Sequence, residues 1–267
     1  MNPRGRPHNP QLPPKQDTWL DMLRLLVKHN ASVHELSYGR SMTGLNLISS
    51  QARPRTLEFF HFLYNECYYL DFNQPVGDSV WSPLTNAIRS GPLALDCLRF
   101  LKERAGMDFS RLAAGTNSGS YRTVMHLAAE YAGDVAVMDL LFEACGGDSS
   151  GYINRQDSHG WSPLHYAIAT AYYAWDREVE ATGVLSLARI RYLIEHGADP
   201  LLKSTSQLDV FCAGKMDEDA FSPLELCKAL SSEDNGGREE LYKGFVNIIA
   251  ENGQEFLGFM EKESIRE

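Results

Sequence analysis

The stretch INRQDSHGWSPLHYAI, residues 153–168, decides the fold. Ser162 can cap a helix through its side-chain oxygen, and Pro163 fits the first helical position, where an N–H is not needed. A helix therefore starts here. Leu164 and the residues three and four further on, Ala167 and Ile168, fall on one face of it and can bury against a neighbour.

The same start recurs along the chain. The copies are Thr43-Gly-Leu-Asn-Leu-Ile, Ser82-Pro-Leu-Thr-Asn-Ala-Ile, Thr123-Val-Met-His-Leu-Ala-Ala, Ser162-Pro-Leu-His-Tyr-Ala-Ile and Ser222-Pro-Leu-Glu-Leu-Cys. From one leading hydroxyl residue to the next the intervals are 39, 41, 39 and 60 residues. A second helical pattern follows each start: Leu57 to Leu63, Leu95 to Leu101, Val137 to Phe142, Ala188 to Ile194 and Leu241 to Ile249. A further one precedes them all, with Trp19, Met22, Leu23, Leu26 and Val27 at helical spacing. Asn30, Gly106, Gly146, Gly197 and Gly253 stand where these helices should stop, because they tolerate left-handed backbone. The unit is helix, turn, helix, then a connecting hairpin.

Residues 153–168, followed after an insertion by IRYLIEHGADP at 190–200, resemble the ankyrin repeat with its TPLH-type start. The other copies depart from that pattern. Thr123-Val-Met-His lacks the proline, Thr43-Gly-Leu-Asn lacks proline and histidine, and Ser222-Pro-Leu-Glu lacks the histidine. The resemblance implies an all-α ankyrin-repeat solenoid of stacked helix-turn-helix units with connecting hairpins. It spans residues 18–257: a half repeat at 18–36, then repeats at about 41–73, 80–109, 121–148, 157–200 and 220–257. A flexible proline-rich tail, 1–17, and a C-terminal tail, 258–267, flank it. The half repeat has a second helix and no first, so a bare apolar face is expected on it. The intervals exceed the family period of about 33 residues. Loops are expected to take up the excess, in repeat four around Tyr172 to Ser186 and after it around Lys203 to Ala220.

In the family the histidine of the start, here His126 and His165, ties adjacent repeats together by hydrogen bonding. Ser162 and His165 could be mistaken for a nucleophile and its base, but the serine is expected to cap and no orienting acid recurs with the pair. The acidic run Asp217, Glu218 and Asp219 lacks the alternating ligands and turn glycine of a calcium loop. No glycine-rich phosphate loop is present. The five cysteines, Cys67, Cys97, Cys145, Cys212 and Cys227, form no CxxC pair and read as reduced, mostly buried thiols. No catalytic residue, cofactor site or metal site is expected.

A formal charge of -10 disfavours attraction to nucleic acid or anionic membrane, and no run approaches the length of a membrane span. A cytoplasmic or nuclear monomer is expected. The function implied is that of a non-catalytic protein-interaction module or adaptor, using the concave ankyrin groove and the hairpin tips. The residue before each capping Ser or Thr stands at the hairpin-to-helix junction, which in ankyrin proteins faces that groove: Met42, Trp81, Arg122, Trp161 and Phe221. Aromatic and arginine side chains dominate interface energetics, so this row is a candidate binding strip. Arg89, Glu130 and the hairpin residue His159 are its neighbours. The alternative is that the large side chains fold down onto the adjacent repeat. A different functional reading is an enzyme or small-molecule receptor whose pocket is built from the insertions near 172–186 and 203–220, using Trp175, Asp176, Arg177 and Glu178 or the acidic loop Asp217 to Asp219.

Overall fold

The computed structural model describes residues 18–29, 55–67, 72–73, 83–109, 122–147, 151–175, 180–205, 220–231 and 237–252. Among these every regular element is helical. In chain order they are α1 (Thr18–Lys28), α2 (Thr56–Glu66), α3 (Pro83–Ile88), α4 (Ala94–Arg99), α5 (Val124–Tyr131), α6 (Val135–Ala144), α7 (Pro163–Trp175), α8 (Glu180–Glu195), α9 (Pro223–Ser231) and α10 (Gly237–Asn252). A π-helical turn, Phe100–Arg104, extends α4, and short 3-10 turns stand at Gly91–Leu93 and Tyr152–Asn154.

The helices form two layers. The first helices α3, α5, α7 and α9 pack in succession, and the second helices α2, α4, α6, α8 and α10 do the same beside them, with α1 against α2. Pro83, Pro163 and Pro223 open three of the first helices, where a missing N–H costs nothing. A first helix has neighbours on three sides, so nearly all of its surface is covered. All six residues of α3 are buried, as are Val124 to Ala129 of α5. One apolar core runs through the stack from Leu20 on α1 to Ile249 on α10. Gly106, Gly146 and Gly197 end their helices with left-handed backbone, as expected. Asn30 and Gly253 lie outside the described residues.

The expected loop at 172–186 is corrected. In repeat four the extra residues lengthen the helices themselves: α7 has 13 residues where α5 has 8, and α8 has 16 where α6 has 10. Apolar residues at helical spacing, Ala171 and Tyr172 on α7 and Leu187 and Ile190 on α8, let both helices grow while still burying a face. Of the second insertion, 206–219 lies outside the described residues.

Successive repeats are tied at their edges by side-chain amides that lie outside the capping motif. The Asn73 side chain donates to the Gly106 carbonyl and accepts the Asp108 N–H; the Asn154 side chain does the same with Gly197 and Asp199. Gln156 bridges the Gly160 and Lys203 carbonyls. The hairpin tip is a turn in which Gly160 N–H donates to Asp157 and Asp157 N–H to Trp161, while Thr205 N–H reaches the His159 carbonyl. Gly160 has φ +73°, and a Cβ there would stand 2.4 Å from the Thr205 nitrogen. Gly160→Ala is therefore expected to cost about 3 kcal/mol, from left-handed strain plus displaced backbone. Gly197→Ala, also at positive φ but with open space around it, should cost about 1 kcal/mol. Urea unfolding of the two variants checks the difference.

On α1, Leu20 and Leu23 turn into the core while Met22, Leu25 and Leu26 are exposed.

Candidate functional site

The junction row is built by the capping motif itself. In repeat three Thr123 and His126 close a capping box: His126 Nδ1 accepts the Thr123 N–H at 2.9 Å and stands 2.8 Å from its hydroxyl. An accepting Nδ1 places the proton on Nε2, which donates to the Trp161 carbonyl at 2.9 Å. His165 repeats the arrangement, accepting the Ser162 N–H at 3.0 Å and donating to the Phe221 carbonyl at 3.1 Å. Each histidine thus joins its own helix start to the next repeat, the tie that the resemblance implied. Burial pushes the His126 ring down to about 3 and the His165 ring down to about 4, so both are neutral. In repeat five Glu225 takes the histidine's place and closes the box as a carboxylate, accepting the Ser222 N–H while its own N–H donates to the Ser222 hydroxyl. Partial burial opposes its charge, yet the Ser222 bonds and Lys203 hold the carboxyl below its usual range.

The same geometry corrects the candidate strip. Trp161 is 0% exposed, Phe221 1% and Arg122 8%, so these three do not present their side chains to a partner. They fold down between repeats, because the histidine draws the junction backbone against the preceding helix. The Trp161 ring lies 5.5 Å from His165, 5.3 Å from Tyr166 and 5.7 Å from Phe221, centroid to centroid. Arg122 lies 4.2 Å over the Tyr166 ring and is ion-paired with Glu130. Burial works against its charge, and the Glu130 carboxylate overcomes that and raises its pKa. Tyr166 in turn donates to Asp157, whose other oxygen accepts the His159 and Trp161 N–H groups and shapes the hairpin tip. Met42 and Trp81 lie outside the described residues.

A second buried arginine was invisible in the motif. Arg189 on α8 is 4% exposed and donates to the carbonyls of Ala129 and Glu130 at 3.0 and 3.1 Å. Those are C-terminal carbonyls of α5, which no turn of that helix satisfies and whose partial negative charge a guanidinium complements. Burial lowers its pKa to about 10, with Glu130 opposing, so it stays charged at neutral pH. The stretch Leu187 to Leu193 carries two arginines, Arg189 and Arg191, and nothing in the sequence marks Arg189 as the buried one.

Of the candidate residues, Arg89 and His159 are partly exposed, and Glu130 keeps 12% of its side chain exposed. Arg89 and Glu130 stand seven residues after Ser82 and Thr123, at equivalent places in consecutive repeats. Arg89 lies 4.5 Å over the Tyr131 ring, next to Glu130 in sequence. Arg89 is held by the Tyr131 ring and Glu130 by Arg122, at the ends of consecutive first helices, while His159 stands on the hairpin tip with its backbone N–H bonded to Asp157.

Catalytic machinery is poorly served here. The Ser162 hydroxyl is 2.9 Å from His165 Nδ1, but both residues are buried and the ring's other nitrogen is committed to a carbonyl. Burial raises the Cys97 and Cys145 thiols to about 11 and Cys227 to about 12, which keeps them protonated. Cys212 lies outside the described residues, as do 176–179, with Asp176, Arg177 and Glu178. Among the described residues no group of three or more His, Cys, Asp or Glu could hold a metal ion, and no helix is long and apolar enough to cross a membrane.

A family model for the ankyrin repeat matches residues 159–205. None of the curated proteins compared with the chain matches it. The matched segment holds the Ser162–His165 box, α7, α8 and the backbone tie from Thr205 to His159.

Proposed function

We propose, on the premise that this chain is an ankyrin-repeat protein, that it is a non-catalytic module binding another protein along the edge where the first helices end and the hairpin tips project. The observation that carries this reading is the placement of Arg89 and Glu130 at equivalent positions of consecutive repeats and opposite in charge, Arg89 partly exposed and Glu130 with 12% of its side chain exposed. Arg89 rests on Tyr131, and Glu130 is fixed by Arg122. Charges whose geometry is set before contact lose little freedom on binding and discriminate between partners by sign. The surplus of 35 acidic over 25 basic residues favours a neutral or basic partner surface over nucleic acid. Trp81 and Met42 belong to the same proposed strip, as does His159 at the tip. A cytoplasmic or nuclear monomer is the setting in which such a module would work.

The test is affinity capture from native extract followed by titration of the captured protein. Arg89→Glu is expected to weaken binding at least tenfold, since it sets a like charge beside Glu130 and against any partner chosen for the pair. Its helical circular dichroism should match wild type. Unchanged affinity in a folded Arg89→Glu protein, together with unchanged affinity in Trp81→Ala, would remove the groove edge as the binding face.

A further inference from the structure

The ends of α8 and α10 leave between them a crevice of about 280 Å³ that opens to solvent. Its walls are apolar, from Ile194, Ala198, Pro200 and Ile249, with Asp199 and Asn252 at its polar margin. Asp199 is already engaged, its backbone N–H with Asn154 and its carboxylate with the Leu201 N–H, and Asn252 bonds back to Ile248. The margin therefore offers little to a polar ligand, and the walls call for an apolar one.

An earlier junction of the same stack carries a buried aromatic residue at the matching position. The Asn73 clamp holds Gly106 and Asp108, as the Asn154 clamp holds Gly197 and Asp199. The residue that follows is Phe109 in the first case and Pro200 in the second. Phe109 is 2% exposed, and its carbonyl receives the Cys145 thiol just past the end of α6. Pro200 faces the corresponding end of α10, but a proline ring is too small to fill what a phenylalanine ring fills. The apolar walls stay open for that reason.

We propose that the crevice is filled by the apolar run Phe256–Met260 of this same chain. The run begins four residues beyond Asn252, which is itself on the rim, so even an extended chain of about 3.5 Å per residue places Phe256 within about 14 Å. Phe256, Leu257, Phe259 and Met260 give four apolar side chains in five positions, between Glu255 and Glu261. The segment 253–267 lies outside the described residues and holds no other cluster of this kind. A single aromatic ring matches the crevice, and it would restore at the end of the stack the packing that Phe109 provides inside it. The short linker makes the occupant's effective concentration high, which sets this segment ahead of a second copy or a separate protein.

The experiment compares the full chain, the full chain carrying Phe256→Ser and Phe259→Ser, and a chain ending at Asn252. Amide exchange at 194–200 and 245–252 is expected to be about tenfold faster in both altered proteins, and the thermal midpoint about 5 °C lower. A synthetic peptide of residues 254–264 should restore protection to the shortened chain. Should the shortened chain fail to fold, the double serine variant decides alone. Equal exchange in the serine variant and wild type overturns the proposal. So does protection that depends on protein concentration, which assigns the crevice to a second copy, or equal binding of an anilinonaphthalene dye to the full and serine-substituted chains, which shows it empty in both.

Discussion

Lowering the pH from 7 to 5 is expected to destabilise the protein by about 4 kcal/mol through His126 and His165 alone, and to lower the thermal midpoint by roughly 10 °C. The unfolded chain protonates these rings near 6.5, whereas the folded chain holds them neutral down to about 3 and about 4. A depressed histidine pKa means that the unfolded state binds the extra proton first. The stabilisation is therefore complete above about pH 6.5, falls by about 1.4 kcal/mol per ring for each pH unit below it, and levels off near the folded values. Glu225 also titrates below its usual carboxylate range, so its contribution is lost only at lower pH and leaves the interval from 6.5 to 5 to the histidines. Each ring is enclosed and each accepts a backbone N–H, which a protonated Nδ1 could not do. Thermal scans at half-unit pH steps measure the slope. In the His126→Gln, His165→Gln double variant, whose amides can still close the capping box, the slope should flatten. A midpoint independent of pH between 7 and 5, or an equal slope in the double variant, would contradict the assignment.

Trp161→Ala is expected to cost about 3–5 kcal/mol, the range for emptying a fully buried large side chain. The ring touches His165 and Tyr166 of its own repeat and Phe221 of the next. Removing it opens a void at a junction where three aromatic rings meet, and relaxation is limited because His126 and His165 pin the adjoining backbone by hydrogen bonds. In a repeat stack the loss is a junction term as well as a repeat term, so α9 and α10 should separate from the rest before the whole unfolds. Denaturant titration followed by exchange at 223–231 would show the uncoupling. A variant that keeps wild-type stability and loses only partner binding would mean that the ring faces the partner after all.

His165 and Trp161 mark the two sides of what the residues of this chain disclose. Ser162-Pro163-Leu164-His165 announces a helix start through local chemistry, and local chemistry is what a sequence carries best: capping oxygens, a proline at the first position, glycines at positive φ. The two-layer stack follows because no helix pair of this kind can bury its own apolar face. The exposure of Trp161 was a different kind of question. It depends on how closely the next repeat approaches the junction, which the His165 to Phe221 bond fixes across 56 residues of chain. Arg189 was hidden for a similar reason, since its partners are carbonyls of α5 some 60 residues away. Repeat four misled through its length. Extra residues between two helices suggest a loop, but Tyr172 and Leu187 continue the helical burial pattern and the helices simply extend. Glu225 looked like a lost consensus residue, and the carboxylate does half of the histidine's work. It caps its own helix and has no second ring nitrogen to reach a following one.

The binding face itself is tested most directly by amide exchange on the complex with the captured partner. The predicted footprint covers the edge that holds Arg89, Glu130 and His159, with protection gained at 86–91, 129–133 and 157–160 and the outer surface of α6 and α8 unchanged. Protection confined to α6, α8 and α10, with that edge exchanging as in the free protein, would contradict the groove and move the binding site to the opposite side of the stack.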